Sequence, residues 1–120
     1  MLKIYGIKNC DTMKTALAWL TDKGIAYEFI DYKQVGLVEK LLPDWNARAG
    51  WKLLLNTRGM MWKRLSDEER ADVDEDKALR LMADYPTLIR RPLADNGREL
   101  QVGFDAQRYE RYGHALAESK

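Results

Sequence analysis

One cysteine, Cys10, and one histidine, His114, are all that 120 residues offer of the two side chains most used in metal binding and nucleophilic catalysis. A lone thiol excludes an internal disulfide. One thiol and one imidazole fall short of the four protein ligands of a structural zinc site. A Ser-His-Asp or Cys-His mechanism would have to draw on His114, which lies in a polar, glycine-adjacent C-terminal stretch. No apolar run approaches the ~20 residues of a membrane span. The N-terminus shows no signal peptide, because residues 1–4 lead straight into a strand-like pattern. Charge of one sign is missing too: 20 Lys and Arg face 19 Asp and Glu, for a net charge of +1. That balance gives no global pull toward nucleic acid or an anionic membrane. The expectation is a cytoplasmic protein, monomeric, with no metal, nucleic-acid or membrane partner.

What is present suits one globular domain over residues 1–120. Hydrophobic residues make up 46% and charged residues 32%, too apolar for a disordered chain. A chain of this length buries roughly two-thirds of its unfolded surface and needs no staple. Residues 2–7 alternate as a short strand does. Asn9, Asp11 and Thr12 supply cap-type residues for a helix over 13–23, with Met13, Ala16, Leu17 and Leu20 at helical spacing and Gly24 as its stop. Residues 25–30 read as a second strand, giving a β-α-β opening. Residues 37–48 read as a helix that Pro43 should kink or split. A short apolar stretch follows at 51–55. Ser66-Asp67-Glu68-Glu69 reads as a capping box, and 74–84 as a further helix.

Residues 85–89 read as a strand that runs into Arg90-Arg91-Pro92-Leu93. Asp95-Asn96-Gly97-Arg98 signals a hairpin between 93–94 and 99–102. Residues 104–112 read as a closing helix and 116–120 as a frayed tail. A β-α-β half followed by a β-β-α half is the thioredoxin or glutaredoxin arrangement. The expected fold is therefore α/β, with a central mixed sheet of about four strands and a helical insertion at about 37–84 between the halves.

Cys10 falls between the first strand and the first helix, where ligand crevices form in open α/β sheets. A thiol at a helix N-terminus meets unpaired N–H groups and the positive end of the dipole, which favour thiolate. Lys8 and Lys14 add to this effect and Asp11 opposes it. Its polar neighbours argue against a buried, inert cysteine. Trp45, Trp51, Trp62 and Tyr85 read as packing residues rather than a stacking platform. Arg58, Lys63 and Arg64 read as a solvated face. The acidic run Glu68, Glu69, Asp72, Asp74, Glu75 and Asp76 reads as solvated helix starts, lacking the spacing of a calcium loop.

Residues 7–14 (Ile-Lys-Asn-Cys-Asp-Thr-Met-Lys), 50–59 and 85–93 together resemble the ArsC/Spx family, in its YffB-like branch. The resemblance spans essentially the whole chain and implies a thioredoxin-like fold with a helical insertion. It also implies an oxidoreductase in which Cys10 is the nucleophile. Arg91 matches an arginine placed beside a bound oxyanion, and Pro92 matches a cis-proline that would bring the preceding side chain up to the thiol. Two further oxyanion arginines of arsenate reductases have no clear match: Asn56, with Arg58 two residues on, falls near one, and Val102-Gly103 near the other. Met13 stands where Spx-type regulators carry the second cysteine of their redox switch. A single thiol needs an external one to finish a reduction cycle, and glutathione is the small thiol at hand.

The implied activity is thus a glutathione-dependent thiol reductase. It would have no tightly bound cofactor, glutathione as co-substrate and a small oxidised or oxyanion substrate. Its alternatives are arsenate reductase proper and a non-enzymatic regulator that binds RNA polymerase. Cys10 and Arg91 would carry the chemistry. Asn9, Asp11, Thr12, Arg58 and Pro92 would bind substrate or glutathione.

Overall fold

The structure is a computed structural model that describes residues 2–110. Its backbone packing divides the chain into two units, one formed by residues 2–32 with 91–110 and the other by Lys33–Arg90.

The first unit is built on a four-stranded mixed sheet of order β2-β1-β3-β4, the thioredoxin-like arrangement expected. Strand β1 (Leu2–Gly6) is followed by helix α1 (Asp11–Asp22) and strand β2 (Tyr27–Asp31). β1 and β2 pair in parallel from Leu2 opposite Tyr27 to Gly6 opposite Asp31. On the other side of β1 runs β3 (Leu93–Asp95), antiparallel, with Tyr5 opposite Leu93 and Lys3 opposite Asp95. β4 (Leu100–Val102) closes a hairpin on β3. The Asp95-Asn96-Gly97 turn holds that hairpin through side chains. Asp95 Oδ1 accepts from the Gly97 N–H at 2.8 Å, and Asn96 Oδ1 accepts from the N–H groups of Arg98 and Glu99 at 2.9 and 2.8 Å. Gly97 takes φ +91°, which side chains disfavour.

α1 turns Met13, Ala16 and Leu20 inward, three positions at helical spacing. Met13 and Leu20 share a buried cluster with Leu2 and Ile4 of β1, Ala94 of β3 and Tyr109. Burying a Leu, Ile or Met of this kind stabilises by about 1.5–3 kcal/mol. Trp19, Phe104 and Tyr109 pack edge to face beside it, with ring centroids 4.9 to 6.4 Å apart. Residues 106–110 are helical. The remainder of the closing helix expected over 104–112, with His114 and the tail, lies outside the described residues.

The second unit is helical: α2 (Leu37–Ala49), α3 (Trp51–Leu54), α4 (Met60–Arg64), α5 (Asp67–Arg70) and α6 (Glu75–Asp84). The acidic run becomes helix starts. Ser66 and Glu69 form a reciprocal capping box on α5, and Asp74 caps α6 by accepting from the Lys77 N–H. The carboxylates of Asp67, Glu68, Glu75 and Asp76 fall in first turns, where the helix dipole favours them. Trp45 is fully buried, and Trp51, Trp62 and Tyr85 are half-buried, in keeping with packing roles.

Three expectations need correction. Residues 85–89 do not form a strand. Pro86–Leu88 is a 3-10 turn, and β pairing there is limited to a single bridge between Leu55 and Ile89. Proline at the start of the segment fixes φ for a helical turn and removes a ladder donor. The strand beside β1 is instead β3, on the far side of Pro92. Second, of the two outcomes expected at Pro43, a kink or a split, the split does not occur: α2 is one element from Leu37 to Ala49. Pro43 is exposed and lacks the N–H that would donate to the Glu39 carbonyl one turn back. Third, the N-cap of α1 is Cys10 itself rather than Asn9, Asp11 or Thr12.

Candidate active site

Two features put Cys10 where it is. β1 ends at Gly6, where a Cβ would run into the Met13 thioether, so glycine leaves room for the Met13 side chain of α1's first turn against the strand. Cys10 then takes an extended conformation (φ −144°, ψ 125°) as N-cap, and its carbonyl accepts the first helical bond from the Lys14 N–H at 3.0 Å. The thiol is half-buried, and the side chains on either side of it, Asn9, Asp11 and Thr12, are exposed.

Arg91 reaches this thiol from the end of the chain's return to the sheet. The Arg91–Pro92 peptide bond is cis, as the resemblance implied. Pro92 is buried, and its carbonyl accepts from the Gly103 N–H at 2.8 Å, which ties the bend to the end of β4. Arg91 Nε donates to Cys10 Sγ at 3.4 Å. On the other edge of the guanidinium, Nη1 donates to the hydroxyl of Tyr32 at 3.3 Å. Tyr32 follows the last residue of β2, and its N–H donates to the Gly6 carbonyl at 3.1 Å, continuing the β1–β2 ladder by one bond. Three separated parts of the sequence thus converge within one unit, at the C-terminal ends of β1 and β2.

The electrostatics favour thiolate. Partial burial pushes the Cys10 thiol up, but the backbone N–H groups of Met13 and Thr12 and the guanidinium of Arg91 outweigh it and hold the thiol below its ordinary value. For Tyr32, burial pushes the phenol up and Arg91 only partly offsets this, so it stays neutral at physiological pH. Arg91 loses by burial and regains more from Cys10 and Tyr32, ending above the usual arginine value. The cation in contact with the sulfur is Arg91; Lys8 and Lys14 are exposed.

Of the residues singled out in the sequence, the structure brings Cys10, Arg91 and Pro92 together, with Asn9, Asp11 and Thr12 flanking the thiol. Arg58 belongs to the helical unit, in the turn between α3 and α4, where its N–H donates to Asn56 Oδ1 at 3.0 Å. Val102 is buried in β4 opposite Leu93, so it is a packing position. Sequence reasoning missed Tyr32. The only signal was its place directly after an expected strand, at the sheet end where crevices form.

The sequence profile of the ArsC family matches residues 5–112. The chain belongs to the ArsC family. A solved structure of a protein named YFFB (PA3664) is similar to this ArsC chain at 41% identity and a TM-score of 0.86, over 92% of this chain and 97% of that one. An uncharacterized protein of Haemophilus influenzae is 37% identical over 110 residues, covering 92% of this chain and 96% of its own length. An arsenate reductase of Neisseria meningitidis serogroup B is 30% identical over 109 residues, or 85% of this chain and 89% of that protein. Among the described residues of this ArsC protein, no helix is long and apolar enough to cross a membrane, and no group of three or more His, Cys, Asp and Glu side chains could hold a metal ion.

Proposed function

We propose that this ArsC-family protein is a thiol reductase that works through one nucleophilic cysteine, Cys10, with glutathione as co-substrate. The observation that supports it most is the contact of Arg91 Nε with Cys10 Sγ at 3.4 Å, at a helix N-cap that itself favours thiolate. The 30% identity to an arsenate reductase supports redox chemistry at this thiol.

The cycle balances with one protein thiol. The Cys10 thiolate attacks the glutathione sulfur of a mixed disulfide R–S–S–G. The S–S bond breaks, R–S⁻ leaves and takes a proton from solvent, and Cys10 carries glutathione. A second glutathione thiolate attacks the glutathionyl sulfur of that adduct. Glutathione disulfide forms and Cys10 leaves as thiolate. Arg91 stabilises the sulfur's negative charge when it attacks and again when it leaves. Asn9, Asp11 and Thr12, exposed beside the thiol, and Pro92 next to Arg91 are the contacts assigned to the tripeptide. A reducing, cytoplasmic compartment keeps both thiols available.

Two observations favour general thiol reduction over arsenate reduction. The family resemblance sets Asn56 and Val102 near two positions where arsenate reductases carry arginine, and neither residue is basic. A buried Val102 has no charge to give an oxyanion.

The test is turnover of a glutathione–peptide mixed disulfide with reduced glutathione as the only reductant. We expect turnover that depends on glutathione and disappears in Cys10→Ser. No turnover, combined with stable capture of RNA polymerase, would favour a regulator and overturn the proposal.

A further inference from the structure

We infer that Tyr32 is a positioning residue for the reaction: its phenol oxygen fixes the plane of the Arg91 guanidinium so that the Nε edge stays on the Cys10 sulfur. The inference rests on the proposed function in one respect, that Cys10 is the reacting atom.

The geometry carries it. Arg91 is gripped at two different edges, Nε by the sulfur at 3.4 Å and Nη1 by the Tyr32 hydroxyl at 3.3 Å. One hydrogen bond fixes a direction but leaves a planar group free to turn about it; a second bond from another edge sets the plane. The guanidinium's fork makes such a two-edged grip possible, and a lysine ammonium lacks it. The grip has a rigid anchor. Tyr32 is fully buried, has few rotatable bonds, and its backbone is tied to Gly6 through the continued β1–β2 ladder. The anchor therefore sits on the sheet, at the C-terminal ends of β1 and β2, and the thiol follows β1 after only three residues, 7–9.

A packing role alone does not account for the hydroxyl. Phenylalanine would fill the same space, and burying a hydroxyl is unfavourable unless it is hydrogen-bonded. The phenol also stays neutral, so it can accept from Arg91 without drawing the cation's charge away from the sulfur.

The test is the pH profile of Cys10 alkylation by iodoacetamide, read in the native chain, Tyr32→Phe, Arg91→Ala and the double variant, with thermal unfolding recorded for each. We expect Tyr32→Phe to raise the midpoint by about half a unit, roughly a threefold loss of thiolate below the midpoint. In the Arg91→Ala background the same change should do nothing, because its effect runs through the guanidinium. An unmoved midpoint in Tyr32→Phe overturns the inference. So does an equal shift with and without Arg91. Should Tyr32→Phe fail to fold, Arg91→Lys decides: it keeps the charge and loses the fork, and we expect its midpoint to rise, whereas a native midpoint would show that charge alone suffices. A native-chain midpoint at the ordinary thiol value would count against the proposed function. A low native midpoint that Tyr32→Phe leaves in place would count against Tyr32 alone.

Discussion

Arg91→Ala removes the cation that, among the described residues, touches the sulfur, and its effect follows from the distance. A unit charge 3.4 Å from a thiolate contributes about 1 kcal/mol even with the full screening of water, and more where water is partly excluded. Both groups are only partly buried, so the lower figure is the appropriate one after solvent screening. One pKa unit corresponds to 1.36 kcal/mol. The Cys10 midpoint should therefore rise by about 0.5–1 unit. Below the midpoint the thiolate fraction should fall roughly three- to tenfold, and disulfide exchange should slow with it. The N–H groups of Met13 and Thr12 remain, so the midpoint should not climb all the way to that of an unassisted, half-buried thiol. Ultraviolet thiolate absorbance against pH is the assay. Arg90→Ala is the control, since the Arg90 backbone N–H serves Leu54 in the helical unit and its side chain should not set the thiol's charge. An Arg91→Ala midpoint equal to the native one would refute the argument.

Other predictions follow from particular contacts. Gly6→Ala should cost about 1–3 kcal/mol in urea unfolding, because its Cβ would overlap the buried Met13 thioether. Ser66→Ala should cost about 0.5–2 kcal/mol by undoing the capping box of α5, read as a lower melting temperature. Because the folded Cys10 value lies below the unfolded one, the thiolate adds stability above the unfolded value, and that gain is lost as pH falls through the folded value. Urea unfolding under reducing conditions should therefore show the native chain gaining on Cys10→Ser as pH rises toward about 8.5.

Much of the fold could be read from the sequence because its elements announce themselves locally. The alternation at Leu2–Gly6, the helical spacing of Met13, Ala16 and Leu20, the Asn96-Gly97 turn and the Ser66–Glu69 box are each short-range signals, and each appears in the structure. The failures have physical causes. β3 is only three residues long, too short for alternation to show, while the neighbouring apolar run at 85–89 looked more like a strand than the 3-10 turn that Pro86 imposes. Pro43 stays inside α2, an element whose length a single proline does not show. The candidate site divides the same way. Cys10 stood out by its place before a helix. Arg91 and Pro92 stood out through the family resemblance, since nothing local separates Arg91 from Arg90. Tyr32 was invisible because its contact with Arg91 depends on the register that sets Gly6 opposite Asp31, a long-range pairing.

The central claim is that one activated thiol accepts glutathione and is then released by a second glutathione. Intact-mass measurement after mixing the protein with oxidised glutathione tests it most directly. The account predicts a single glutathionyl adduct on Cys10 that forms faster as pH rises through the thiolate midpoint, is removed by reduced glutathione, and is absent in Cys10→Ser. A native chain that stays unmodified, or an adduct that reduced glutathione cannot release, would contradict it.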